Sequence, residues 1–198
     1  MTSTVDPEYW RERWLEGRTG WDRGDLSPAL VHWLEQGALE PCRILIPGCG
    51  NGYEVDALAA RGFRVTALDI VPEPLEALGK RLKDKGLQAE IVQGDVFTYT
   101  PGDGAFDAVY EQTCLCAFHP DYRAEYAAQL TRWVRPGGML YALFAQTPWR
   151  NGPPFHSAPE QMQQLLPDAL WEWPDAADVD IPHEAGFREL GYRLRRRE

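Results

Sequence analysis

The residues best placed to do chemistry in this sequence sit just after short apolar runs. Gly48-Cys49-Gly50-Asn51-Gly52 follows Arg43-Ile44-Leu45-Ile46-Pro47, and glycines at this spacing allow a tight turn and close approach of a ligand to the backbone. The pattern is G-x-G-x-G and lacks the third glycine position of the dinucleotide fingerprint, so a pyrophosphate is not specifically called for; a purely structural turn is the competing reading. About twenty residues further on, Asp69 closes a second apolar run. A carboxylate there can accept hydrogen bonds from both hydroxyls of a ribose, or simply cap the next helix. Gly94-Asp95-Val96 closes a third run, setting a carboxylate near an adenine amino group with apolar side chains on the ring face, or making a plain turn. Three such features on three consecutive runs rarely coincide by accident. Glu111, at the end of a fourth run, is placed to take a proton directly or through water, and Arg123 is a candidate grip for an anion.

The cysteines Cys42, Cys49, Cys114 and Cys116 do not form the paired spacing a zinc site needs, since there is one C-x-C with His119 nearby and two distant singles. No metal is expected, and buried or pocket-lining thiols are the bland reading.

The elements that must position these residues follow from caps, breakers and periodicity. Asp6-Pro7 and Ser27-Pro28 each read as an N-cap followed by a first-turn proline, predicting helices over 7–16 and from 28 to Gly37. Strands are predicted over 43–46, 63–68, 89–93, 106–110 and 139–144, with helices over 55–62, 73–85 and 122–134 between them. Pro136-Gly137-Gly138 reads as a turn into the fifth strand. Residues 146–159 read as a Pro- and Gly-rich loop in which Trp149 and Phe155 can pack or grip; 161–166 reads as a short helix and 190–195 as a half-exposed strand. Strands alternating with helices imply right-handed crossovers and a parallel sheet covered on both faces. The expected fold is therefore α/β, one doubly wound and mostly parallel sheet, with ligands beyond the carboxyl ends of its strands.

Composition narrows the partners. The chain has 198 residues, 44% hydrophobic and 12% aromatic, with a formal net charge of −10. One globular domain is expected, and the negative charge repels nucleic acid and anionic lipid surfaces. The start Met1-Thr2-Ser3-Thr4-Val5-Asp6-Pro7 has neither a basic nor an apolar region of a secretory signal, and no window approaches a membrane span. A cytoplasmic protein acting on small molecules, as a monomer or weak dimer, is the expectation.

At this point the chain resembles the class I S-adenosylmethionine-dependent methyltransferases. Leu45-Ile46-Pro47-Gly48-Cys49-Gly50 is similar to their first motif, Ala67-Leu68-Asp69 to their ribose-binding acid, Gly94-Asp95-Val96 to their adenine-side motif, and Arg135-Pro136-Gly137-Gly138 to their turn before strand five. More narrowly it resembles the thiopurine S-methyltransferase family, including its thiol and halide branch. That match rests on Tyr9-Trp10 through Arg13-Trp14 to Thr19-Gly20-Trp21-Asp22, on Pro47-Gly48-Cys49-Gly50, on Cys116-Ala117 followed by Pro120 and Arg123, and on Gly152-Pro153-Pro154-Phe155.

The resemblance implies a seven-stranded Rossmann-like sheet with an antiparallel C-terminal strand. Residues 41–198 would form the core and residues 1–40 a helical cap over S-adenosylmethionine. Trp10, Trp14 and Trp21 would lie against the sulfonium, whose charge aromatic faces attract, although Trp10 and Trp14 also suit a staple holding the first helix to the core. Gly48, Gly50, Asp69, Ile70, Asp95, Val96, Glu111 and Gln112 would complete the cofactor site, and Arg123 and Phe155 would meet the methyl acceptor. Family members carry Arg or Tyr after the acid of strand four, where this chain has Glu111-Gln112; a neutral amide binds a carboxylate far less strongly. That departure disfavours a thiopurine acceptor, and Cys114-Leu115-Cys116-Ala117 is closer to the thiol and halide branch. The acceptors implied are a thiol, a halide, a thiopurine or a selenium or tellurium species. The rival readings are a protein that binds the cofactor without methylating thiols, and an NAD-dependent oxidoreductase on a similar sheet.

Overall fold

A computed structural model describes residues 6–198; the stretch 1–5, part of the segment that bears on a secretion signal, lies outside the described residues. Both predicted caps close their helices. Asp6 Oδ1 accepts from the Glu8 N–H at 3.0 Å ahead of α1 (Pro7–Leu15), and Ser27 Oγ accepts from Ala29 N–H at 3.3 Å ahead of α2 (Pro28–Glu35). The chain then alternates: β1 (Arg43–Pro47), α3 (Tyr53–Ala59), β2 (Arg64–Asp69), α4 (Pro72–Asp84), β3 (Glu90–Gln93), β4 (Phe106–Gln112), α5 (Arg123–Trp133) and β5 (Val134–Gln146). It ends with α6 (Pro159–Leu165), β6 (Trp171–Glu172), β7 (Val179–Pro182) and β8 (Arg188–Arg196).

These strands make one sheet in the order β3-β2-β1-β4-β5-β8-β6. β1 to β5 are parallel, and β8 runs antiparallel to β5. The seven expected strands lie along this path. An eighth, β7, pairs with β8 beside β6, so two short strands share one edge. Two local expectations differ from the structure. β5 starts at Val134, so Pro136-Gly137-Gly138 falls inside the strand, beside a register shift between Phe106 and Ala108 that absorbs the turn-like residues. β3 is an edge strand that is only half covered.

Side-chain alternation along the strands divides the core. Leu45, Leu68, Val109 and Leu140 face Tyr126, Leu130 and Trp133 of α5, while Ile44, Ile46, Val65 and Ala67 face Trp33 of α2, Leu58 of α3 and Leu78 of α4. The fully buried Trp33, Trp133 and Trp171 each find an acceptor for their indole N–H, on Asp178, Tyr99 O and Thr131 respectively. The order reverses between β1 and β4, which places the topological switch point at their carboxyl ends.

Gly191 of β8 is the tightest crossing in the C-terminal sheet. A Cβ there would lie 2.5 Å from Val179 Cγ2 and 3.1 Å from Trp33 Cζ2. Gly191→Ala is therefore expected to destabilise the fold by about 1–3 kcal/mol through overpacking, measured by denaturant unfolding against the wild type.

Candidate functional site

A cavity of about 550 Å³ opens over the carboxyl ends of the strands. One half lies beyond β1, β2 and β3, where Gly48, Gly50, Asp69, Ile70, Gly94, Asp95 and Val96 line it. The other half lies beyond β4 and β5 and before β8, and its walls are Cys116, Ala117, Phe118, Trp149, Pro153, Pro154, Ala185 and Phe187. The N-terminal segment covers the opening with Tyr9, Trp10, Arg13, Trp14, Arg18 and Trp21.

Asp69 organises the first half. Its Oδ2 accepts from Gly50 N–H at 2.8 Å and its Oδ1 from Val71 N–H at 2.9 Å. One carboxylate thus shapes the glycine loop and holds the turn that leads into α4, and each oxygen retains a further lone pair. Burial raises its pKa despite those backbone bonds. Asp95 also makes its turn, its Oδ1 accepting from Phe97 N–H at 2.9 Å, and it reaches the lining as well. Gly48 and Gly50 have φ of 61° and 51°; a Cβ on Gly50 would stand 3.4 Å from the Trp14 ring. Trp14 therefore lies against the glycine loop. Since α1 buries no residue, Trp10 and Trp14 do not staple it into the core; they face the cavity and pack edge-on against Trp21, with ring centroids 5.4 and 5.9 Å away.

The covering segment is tied down at several points. Asn51 Nδ2 donates to Asp22 Oδ2 at 2.5 Å, and Arg11 pairs with Glu73 at 2.7 Å. Arg23 forms an ion pair with buried Glu189 of β8 and donates to Pro182 O. His183 contacts Trp21 O through Nε2 at 3.2 Å while stacking on Phe187 at 4.2 Å.

Four expected site residues are placed elsewhere. Glu111 is fully buried beneath the cavity, with Oε1 accepting from Leu115 N–H at 2.6 Å and Oε2 without a partner among the described residues. Burial, offset in part by bonds from Leu115 and Cys114, pushes its pKa to about 7. Gln112 lines a separate pocket of about 60 Å³ beside Trp14, Trp21 and Gly48, and its Oε1 accepts from the Tyr110 hydroxyl at 2.9 Å. Arg123 is buried under the cavity lip, where Nη2 donates to Phe155 O, His156 O and Ser157 Oγ at 3.2, 3.0 and 3.1 Å. Its charge holds the loop instead of facing a ligand. Phe155 packs on His119 and hydrogen bonds Cys116 O through its N–H at 2.7 Å, so its neighbours Gly152, Pro153 and Pro154 form the wall.

Other lining residues carried little sequence signal. Thr113 has φ 57°, a conformation costly for a β-branched side chain, and nothing in its type announces it. Ala185 and Phe187 come from the turn before β8, marked only by Gly186. The thiols of Cys114 and Cys116 line the cavity, and burial, then nearby Glu111, pushes their pKa well up. Among the described residues no group of three or more His, Cys, Asp or Glu could hold a metal ion, and no helix is long and apolar enough to cross a membrane.

The model of one family, described as thiopurine S-methyltransferase, matches residues 5–197. This chain belongs to that family. Its members use S-adenosylmethionine, so the chain is an S-adenosylmethionine-dependent methyltransferase and not an NAD-dependent oxidoreductase. It is 32% identical over 160 residues to the Arabidopsis thaliana protein named "Probable thiol methyltransferase 2", covering 79% of this chain and 70% of that protein. It is 31% identical to "Thiocyanate methyltransferase 1" of Brassica oleracea, over 84% of this chain and 74% of that one. In fold it is similar to 1,6-didemethyltoxoflavin-N1-methyltransferase of Burkholderia thailandensis, solved with its substrate and S-adenosylhomocysteine. The TM-score is 0.78 at 23% identity, covering 97% of this chain and 87% of that one.

The cavity fits the cofactor on chemical grounds. Asp69 offers acceptors for a diol, Ile70, Val96 and Phe97 offer apolar faces for a purine, and the tryptophans offer π-faces for a sulfonium.

A raised folded-state pKa means that Glu111 opposes folding once ionised, so its contribution is lost as pH rises from its unfolded value near 4.5 through about 7. Glu111→Gln should therefore unfold at a midpoint that falls less than the wild type's between pH 5 and 8, a difference of up to about 3 kcal/mol. Parallel midpoint curves for the two proteins would show that the buried carboxyl does not titrate in this range.

Proposed function

We propose that this enzyme methylates the sulfur of a small thiol carried on an uncharged, apolar body. The observation that carries this reading is the second half of the cavity. It is continuous with the glycine-loop half, and the charged side chains on the whole lining are Arg13, Arg18, Asp69 and Asp95, all on the covering segment or the ends of β2 and β3. Trp149, Phe187, Phe118 and the Pro153-Pro154 pair leave an apolar aromatic slot for the acceptor. A small hydrated anion such as a halide, with no apolar body to bury, would lose its water there without gaining a cation, whereas a thiol carries an apolar body that the slot covers.

In this reading Asp69 accepts from the ribose hydroxyls, with Gly48 and Gly50 letting the ligand approach the backbone. Ile70, Asp95, Val96 and Phe97 surround the adenine. Trp10, Trp14 and Trp21 close over the sulfonium and exclude water. When bound, the cofactor supplies an electrophilic methyl group on sulfur. The protein's task is alignment of donor and acceptor along one line, where positioning alone can account for much of the rate. No carboxylate lines the acceptor half, so Glu111, Gln112, Arg123 and Phe155 act as supports beneath the wall: Glu111 holds the turn at Leu115, and Arg123 holds the loop carrying Pro153 and Pro154.

Incubation with S-adenosylmethionine and a panel of apolar thiols, charged thiols, thiocyanate, iodide, selenium species and a thiopurine, read as S-adenosylhomocysteine by mass spectrometry, tests this. Turnover should be highest for uncharged aromatic or aliphatic thiols. Its rise with pH should follow each acceptor's own thiol pKa, about 8.5 for a simple thiol, in wild type and Glu111→Gln alike. Faster turnover of thiocyanate or iodide, or a pH inflection that disappears in Glu111→Gln, would overturn the acceptor class or the supporting role of Glu111.

A further inference from the structure

Resting on the cofactor placement proposed above, we infer that Arg13 binds the carboxylate of the methyl donor's amino-acid portion. That portion carries an ammonium and a carboxylate besides the sulfonium, so a site that holds it firmly needs a cation as well as acids. The lining offers two cationic side chains, Arg13 and Arg18. Arg18 is engaged at the surface, its guanidinium paired with Glu16 and its side chain 53% exposed.

Arg13 is arranged differently. It lies three residues after Trp10 and one before Trp14, on the part of α1 that lines the cavity. Its Cζ stands 3.4 Å over the Tyr9 ring, and Nη1 donates to Tyr9 O at 3.0 Å. These two contacts fix the plane of the guanidinium on one turn of helix. They leave Nε and Nη2 without a hydrogen-bond partner among the described residues, at the edge of a cavity whose two carboxylates already serve the ribose and adenine. A planar, pre-oriented fork is the geometry that suits a carboxylate. The arrangement also gives a reason for the covering segment to close only on the complete cofactor, since its cation and its tryptophans address two different groups of the same ligand.

Calorimetry of the full chain with S-adenosylhomocysteine and with decarboxylated S-adenosylhomocysteine, which lacks only the carboxylate, tests the assignment in wild type, Arg13→Gln and Arg13→Lys. The wild type should prefer the complete ligand by about 10–100-fold, the range of one charge-assisted bond or bidentate pair. Arg13→Gln should lose that preference by weakening the complete ligand alone, and Arg13→Lys should retain part of it. Equal weakening of both ligands in Arg13→Gln would make Arg13 a support for Tyr9 and overturn the inference, as would a wild type indifferent to the carboxylate. Failure of the wild type to bind either ligand would instead overturn the cofactor placement itself.

Discussion

The buried carboxylate of Asp69, accepting from Gly50 N–H and Val71 N–H, is the constraint on which the rest of the site depends. It ties the loop after β1 to the junction of β2 and α4, 19 residues further along the chain. Without that acceptor the Gly50 N–H would lose its partner, leaving the loop to the Cys49 N–H bond on Leu68 O, the Gly52 N–H bond on Cys49 O and the Arg81 contacts to Asn51 O and Gly52 O. The bonds also leave the charge where a ligand can use it. Burial alone favours the protonated acid, so the two backbone donors are what keep the carboxylate form within reach.

The second dependency runs between the two ends of the chain. The turn before β8 supplies Ala185 and Phe187 to the second half of the cavity, and the same turn fastens the covering segment. His183 Nδ1 accepts from Ala185 N–H at 3.1 Å, so the ring proton sits on Nε2 and is donated to Trp21 O. Burial and then Arg23 lower the His183 pKa, which favours this neutral form. Arg23, paired with Glu189 on β8, repeats the connection one step further along. This part of the cavity wall and the N-terminal segment over it are in this way parts of one arrangement.

Much of this was legible in residue types and spacing, because it depends on local rules. Asp6-Pro7 and Ser27-Pro28 mark their helix starts, and the apolar runs mark β1, β2 and β4. The strand-end rule then locates Gly48, Asp69 and Asp95 on the cavity. Residues whose roles depend on side-chain direction were less legible. Glu111 and Arg123 follow β4 as a proton acceptor and an anion grip would, yet alternation along β4 turns Glu111 inward, and the Phe155–Ser157 carbonyls and hydroxyl capture Arg123. β6 and β7 are only 2 and 4 residues long, too short for a period to show, and they exist because β8 offers an edge. Thr113 has no signature at all, since its left-handed backbone is imposed by its surroundings.

With the cofactor bound as proposed, the strand-end loop and the N-terminal cover form a single binding unit. Amide hydrogen exchange of the full chain with and without saturating S-adenosylhomocysteine tests that most directly. Protection should rise together in 48–52, 69–71 and the covering segment 7–22, while edge strand β3 stays unchanged. Protection confined to the strand-end loops, with exchange in 7–22 unaltered, would contradict the claim that the tryptophan-bearing segment closes over the cofactor.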